Sequence, residues 1–250
     1  MRCRGAMRLL TGLSFVVCSA CSADEAAEST QMTETTPTPS TFVTAEDIPD
    51  DITEDSWARL PLPRRDELGP DGARAYDIIV HPDSRYASGL RGPLAMWVYS
   101  PLMAEHIFPA SSYLRFGTEK DQRLTELVIL ATAREVRSQY EWTSHQPLAE
   151  RAGLEAEIIE LVKRRADLET VGEIPGLGDH ERTIVAFVRE VVSEEKVTSS
   201  TFSRALELFG EQGVMELAGL VGYYNFVNMT LKTFDVQLAP GRERLLPALW

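Results

Sequence analysis

The sequence predicts an all-α fold: a helical bundle in a single folded domain spanning residues 57–250. Three observations lead there. From Trp57 onward apolar residues recur at helical spacing, with Gly and Pro as punctuation. No run alternates apolar and polar residues as strands do, and no heptad seam is long enough for a coiled coil. One segment, "LVILATA" (Leu127 to Ala133), is apolar for about two full turns. Such a helix has no polar face and belongs in the centre of a bundle or an oligomer.

The elements follow in order. "RLPLPRRDELGP" is an extended arm, because its three prolines are incompatible with a helix interior. Asp71 is the expected cap of a helix running through Val80. Pro93 to Tyr99 and Leu102 to Phe116 are two more helices, broken near Ser100-Pro101. Glu119 to Val136 is the strongest helix. Ser138 to Ala152 follows, with Gly153 as its stop. "EAEIIELVKRR" continues the pattern, "VGEIPGLGD" is a loop, and Asp179–Glu195, Ser200–Phe209 and Gln212–Phe234 complete the set.

The first 21 residues are a separate matter. Arg2, Arg4 and Arg8 precede the apolar stretch Leu9 to Val17, and "CSAC" ends at Cys21. A positive start, a short apolar run and small residues before a cut site describe a secretory signal. The run is too short to span a bilayer. The ending resembles a bacterial lipobox, with Cys18 standing where Leu is usual, and it marks Cys21 for lipidation. The expected location is therefore the bacterial cell envelope, lipid-anchored through Cys21, with a soluble exported protein as the alternative. Residues 22–56 read as a disordered tether: from Ser22 to Ala58 there are ten Asp or Glu and no Lys or Arg, mixed with "TETTPTPST".

Charge and cysteine usage exclude whole classes of function. The chain carries a net −13, and without the three leader arginines 22 basic residues face 38 acidic ones, about −16. Such a balance argues against nucleic acid as a partner. Cys3, Cys18 and Cys21 all lie in the leader. The folded part therefore has no disulfide, no thiolate nucleophile and no redox pair.

The candidate chemistry centres on "YEWTSH", Tyr140 to His145, where Glu141 and His145 share one helix face at spacing four. The bland interpretation is a solvated i, i+4 pair, although Trp142 and Leu148 on neighbouring turns suggest a partly buried helix. Glu126 opens the apolar run and Arg134 closes it. A carboxylate entering a buried helix is costly unless paired or protonated, so a bridge from Glu126 to Arg134 or Arg123 is one expectation. "GYYNFVNM" (Gly222 to Met229) reads as core or subunit packing, with a pocket wall as the alternative. No metal or other cofactor is expected, since His81, His106 and His180 sit in unrelated segments without ligand spacing.

"RLPLPRRDEL", "GPLAMWVYSPLMAE", the long block from Tyr113 to Leu154, "FVREVV" and "LVGYYNFVNMTLKTFDVQL" together resemble carboxymuconolactone decarboxylase-like proteins. That superfamily also contains the alkyl hydroperoxidase D-like disulfide reductases. The resemblance runs from about Arg59 to Gly241. It implies a bundle assembling into trimers or hexamers, with the active site around the central helix pair. In the peroxidase branch a Glu precedes a CxxC motif and a His follows. Glu126 fits the Glu and His145 the His, while the cysteine positions fall at Ser138 and Glu141, and Tyr140 replaces a His. The implied chemistry is cofactor-free decarboxylase-like acid–base work on a small carboxylated or lactone-like substrate, without thiol peroxidase chemistry. His145 would be the acid, Glu126 or Glu141 its partner, and Tyr140 a hydrogen-bond donor. Arg134 would hold the substrate carboxylate, with Ser138 as a further contact. The alternative is a non-catalytic, lipid-tethered binding or scaffold protein of the same fold.

Overall fold

The computed structural model describes residues 41–247. The expected leader, Cys21 and residues 22–40 of the expected tether lie outside the described residues. The helices are α1 (Pro70–Ile79), α2 (Pro93–Trp97), α3 (Pro101–Ser112), α4 (Gln122–Glu135), α5 (Gln139–Arg151), α6 (Ala156–Arg164), α7 (Asp179–Ser193) and α8 (Ser199–Thr233). The described residues contain two isolated β-bridges and no longer strand. The all-α expectation holds.

The centre of the bundle is α4, which packs against α5, α6, α7 and α8. Asp121 caps it by accepting from the Leu124 amide at 2.7 Å, so α4 starts three residues later than its pattern suggests. Ten consecutive residues, Thr125 to Arg134, are buried. Each large apolar member contributes roughly 1.5–3 kcal/mol on burial. The polar members stay because most have partners: Thr132 donates to the Val128 carbonyl at 2.8 Å, and Arg134 Nε donates to the Lys163 carbonyl at 2.8 Å.

The turn from α4 to α5 is tight. Arg137 takes a left-handed conformation, φ 56°, and the Ser138 amide returns to the Ala133 carbonyl at 2.8 Å. That closure is a Schellman-type end in which a non-glycine residue accepts the left-handed position. It brings α5 back alongside α4, so that residues nineteen apart in sequence, Glu126 and His145, meet.

Three boundaries differ from the sequence reading. Helix α1 begins at Pro70 with Gly69 at its N-cap, and Asp71 does not cap it. Proline is preorganised for the first helical position, and Asp71 instead pairs with Arg74 one turn on, at 2.7 Å. The helix expected from Leu102 to Phe116 changes character: Pro109 lies inside α3, and a π-helical turn over Tyr113–Gly117 follows it. Proline deletes one i→i−4 bond, and a π turn rotates the side chains after it off the α-helical register. Helix α8 is broken at Gly210 (φ 68°, ψ 176°), which matches the two segments expected there.

The folded unit also starts before residue 57. Phe42 bridges Glu243, the Val43 amide donates to the Arg242 carbonyl at 2.9 Å, and Val43 is buried. Thr44 donates to Asp47 from both its amide and its hydroxyl, and Arg244 joins the same carboxylate at 3.0 Å. The Thr44 amide, then Arg244, hold Asp47 down at a pKa of about 2. The acidic composition that suggested a tether through residue 56 concealed these local partners.

Candidate active site

Helix α5 presents Tyr140, Glu141, Ser144, His145 and Leu148 along one face, and all five line a cavity of about 250 Å³. Tyr223 and Tyr224 of α8 form another wall. Arg115 enters from the π-helical turn, and Arg85, Tyr86 and Arg91 from the α1–α2 connection. Gly92 (φ 56°) permits the close approach of Tyr140: a Cβ there would sit 2.4 Å from the phenol oxygen. A second cavity of about 170 Å³, between the N-terminal arm and the C-terminal segment, shares Arg91, Tyr140 and Ser144 with the first.

His145 is the hub. Its Nδ1 lies 2.7 Å from Glu126 Oε2, and its Nε2 lies 3.4 Å from Glu141 Oε2 and 3.3 Å from the Tyr224 hydroxyl. The Tyr224 ring meets the imidazole edge-on, with centroids 5.3 Å apart. Glu126, Glu141 and His145 are all buried, at 2 %, 5 % and 6 % exposure, so the solvated-pair interpretation fails. Glu126 does not line the cavity. It sits behind the ring, leaving Nε2 as the nitrogen on the cavity side.

The electrostatics follow from this packing. Burial alone would push the His145 pKa down, but the Glu126 hydrogen bond and then the Glu141 contact outweigh it and raise the value above that of an ordinary histidine. Burial likewise disfavours an ionised Glu126, yet His145 and Arg115 together hold its carboxyl below the usual range. The pair favours the imidazolium form, held by a carboxylate at Nδ1, with Nε2 on the cavity side beside Glu141 and the Tyr224 hydroxyl. Burial, aided by Glu141, also pushes the Tyr140 phenol above its ordinary value, and burial does the same to Tyr224. Both tyrosines therefore stay neutral hydrogen-bonding groups at physiological pH.

The expected residues divide into two sets. Glu126, Glu141, His145 and Tyr140 come together as anticipated. Arg134 does not join them. It caps the end of α6 through the Lys163 carbonyl and is absent from the cavity wall, so it is not placed to hold the carboxylate of a molecule bound in that cavity. At spacing eight from Glu126 it shares a helix face only in projection; two turns of rise carry it to the other end of α4. The anticipated Glu126–Arg134 and Glu126–Arg123 bridges are not the ones formed. Arg123 instead binds Glu155 and Glu181, each at 2.6 Å.

Ser138 also lies off the cavity wall. It is the N-cap of α5, its hydroxyl accepting from the Glu141 amide at 3.4 Å. Ser138→Ala is expected to lower stability by about 1 kcal/mol, the usual value of a lost cap, and to leave the His145 titration unchanged. Thermal melts and histidine NMR on the same variant check both halves.

Sequence reasoning missed Arg115, Arg85, Arg91, Tyr86 and Ser144. Ser144 was findable, four residues after Tyr140 on the same face. Arg115 carried no usable signal, because its direction depends on the π turn. Tyr223 and Tyr224 resolve the "GYYNFVNM" alternatives in favour of a pocket wall for those two residues.

No family model matches the sequence, and no curated protein does. The fold does have a counterpart: the crystal structure of alkylhydroperoxidase AhpD core, an uncharacterized peroxidase-related protein from Ralstonia eutropha JMP134. That structure is similar with a TM-score of 0.57 and 14 % sequence identity, over 73 % of this chain and 92 % of that one. The chain thus has the alkylhydroperoxidase D-like helical fold. Its version carries no cysteine anywhere in residues 22–250, and Ser138 and Glu141 supply a helix cap and a carboxylate where a thiol pair was implied.

Proposed function

We propose that the cavity is the active site of an enzyme performing cofactor-free acid–base chemistry on a small carboxylated or lactone-like molecule. One observation carries the proposal: His145 is held by Glu126 at Nδ1 while its Nε2 faces a cavity walled by tyrosines and arginines. A decarboxylase-like step fits these groups. The bond from the substrate carbon to its carboxylate breaks and carbon dioxide leaves. The electron pair passes into a conjugated carbonyl as an enolate, and the imidazolium delivers the Nε2 proton to carbon. Neutral His145 then regains a proton from solvent. Glu126 sets the tautomer and charge of the ring and does not touch the substrate, so it is a positioning residue. Thiol peroxidase chemistry finds no support, since serine cannot replace the thiolate that attacks a peroxide or the disulfide that follows.

The same proposal places the protein in the cell envelope as a lipid-anchored homo-oligomer. The leader ending at Cys21 supports the anchor. Large apolar side chains left exposed, Leu102 at 61 % and Met229 at 64 %, support self-association.

The test is a panel of β-keto acids, unsaturated lactone acids and neutral lactones, followed by carbon dioxide release and by solvent deuterium incorporation at carbon. Turnover that falls at least about 100-fold in His145→Asn, the usual range for a general acid, supports the enzyme. Absence of both carbon dioxide release and deuterium exchange across the panel would sink it in favour of a binding protein.

A further inference from the structure

Three guanidinium groups converge on the cavity without enough carboxylates to balance them. Arg115 is deepest, 6 % exposed, and its nearest carboxylate contact is a long one, Nη2 to Glu126 Oε1 at 3.5 Å. Its buried Nε has no hydrogen-bond partner among the described residues. Arg85 and Arg91 are exposed at the mouth, and neither forms a salt bridge among the described residues. Arg91 instead donates to the Ser88 hydroxyl at 3.0 Å and the Arg85 carbonyl at 3.2 Å.

The arginines also crowd one another. Arg85 and Arg115 both lie against the Phe116 ring, their Cζ atoms 4.9 and 4.8 Å from its centroid. Arg85, Arg91 and Arg115 line the same cavity, and like charges brought to one site repel. Glu141, the carboxylate on the cavity wall, is engaged with His145. A buried donor left unpaired is costly unless something else satisfies it. A ligand carboxylate would answer both needs, because a guanidinium offers paired N–H donors that match its geometry.

We infer that Arg115, with Arg85 and Arg91 at the mouth, forms a carboxylate-binding subsite, and that the natural ligand is a planar organic acid anchored there by a carboxylate that is not the group it loses. The inference rests on the acid–base reading of the cavity and narrows it. Planarity follows from the walls: Tyr86 beneath Arg91, whose Cζ is 5.1 Å from the ring, with Tyr140, Tyr223 and Tyr224 around the remainder. Flat faces favour a conjugated or aromatic body over a flexible aliphatic one. The anchored carboxylate is a handle for an energetic reason. Its loss as neutral carbon dioxide would forfeit the stabilisation that the guanidinium provides to the anion. The reacting carbon must then sit apart from the handle, facing His145 Nε2. The mouth arginines draw anions toward the cavity.

Calorimetric titration of the full chain with benzoate, and with benzamide as its neutral counterpart, tests this directly. Benzoate is expected to bind at least tenfold more tightly than benzamide. Arg115→Gln is expected to abolish that preference, Arg115→Lys to retain part of it, and Arg74→Gln, an exposed change outside the cavity, to leave it intact. Should Arg115→Gln fail to fold, Arg85→Gln supplies the answer from the exposed mouth: benzoate affinity a few-fold lower and a weaker dependence on salt. Equal affinity for the acid and the amide overturns the inference, as does absence of benzoate binding up to tens of millimolar. Turnover of the acid panel by the wild-type chain separates the two readings. Benzoate bound normally by a chain that turns over no acid leaves the subsite standing and removes the chemistry; turnover without a carboxylate preference does the reverse.

Discussion

Replacing Glu126 with Gln is expected to drop the His145 pKa to or below the ordinary histidine value of about 6.5. In the native protein burial works against the imidazolium, and the Glu126 hydrogen bond of 2.7 Å is the first of the interactions that overcome it. With that carboxylate gone, burial is opposed mainly by the longer Glu141 contact at 3.4 Å. Selective labelling makes the measurement practical, since the chain has four histidines. The acid–base proposal adds a second outcome, a loss of turnover of about 100-fold. A His145 that titrates identically in both proteins would show that the pair is not coupled.

The same substitution alters the pH dependence of stability, and the signs are opposite for the two partners. Glu126 is depressed in the native state, so its contribution is present above its unfolded value of about 4.3 and is lost as pH falls through the lower native one. His145 is raised, so its contribution is full below about 6.5 and is lost as pH rises through the higher native value. The pair therefore stabilises the fold most between those two reference values. Glu126→Gln should lower stability within that interval and flatten the losses on its acid and alkaline sides, read by denaturant titrations at several pH values. Because the partner left behind is buried, the loss at the optimum is expected to be large, about 3–5 kcal/mol.

Trp142→Ala is expected to cost a further class of stability, about 3–5 kcal/mol, the range for deleting a large buried aromatic. Trp142 lies on α5 between Glu141 and Thr143 and is fully buried. Its indole N–H donates to Gln146 at 2.8 Å, and Lys163 of α6 approaches its ring at 5.8 Å. The indole thus locks the face of α5 opposite the cavity, and through it the direction in which His145 points. For a chain of this size such a loss lowers the melting temperature by roughly 10 °C. Trp142→Phe should fall well short of that, since it keeps most of the ring volume. Equal melting temperatures for wild type and Trp142→Ala would mean that α5 is held by something other than its buried face.

The likeness to the alkylhydroperoxidase D-like fold separates scaffold from chemistry in this molecule. The central helix pair, the tight elbow at Arg137 and the Glu126–His145 contact are present in a chain without cysteine in its folded part. A buried acid–base pair costs desolvation energy that a hydrophobic pair of similar size would not. Its presence at the wall of a cavity is what the proposed chemistry accounts for.

By itself the sequence determined the helical class and nearly every helix. Apolar spacing and the Gly and Pro stops are local properties that each segment carries independently of the others. It also placed α4 at the centre, because "LVILATA" offers no face to water, and brought Tyr140, Glu141 and His145 to one face of α5 by helical arithmetic. The absence of a thiol from the folded part was likewise legible in composition alone. The tertiary structure decided which partners those residues have. Glu126 chose His145 over Arg123 and Arg134 because the elbow after α4 folds α5 back beside it, a matter of long-range geometry that no spacing encodes. Arg115 reached the cavity because a π turn redirected it, and residues 41–56 joined the fold because the C-terminal segment offered them hydrogen bonds. Periodicity tells each helix which side to bury, but the composition of a site depends on how the buried sides meet.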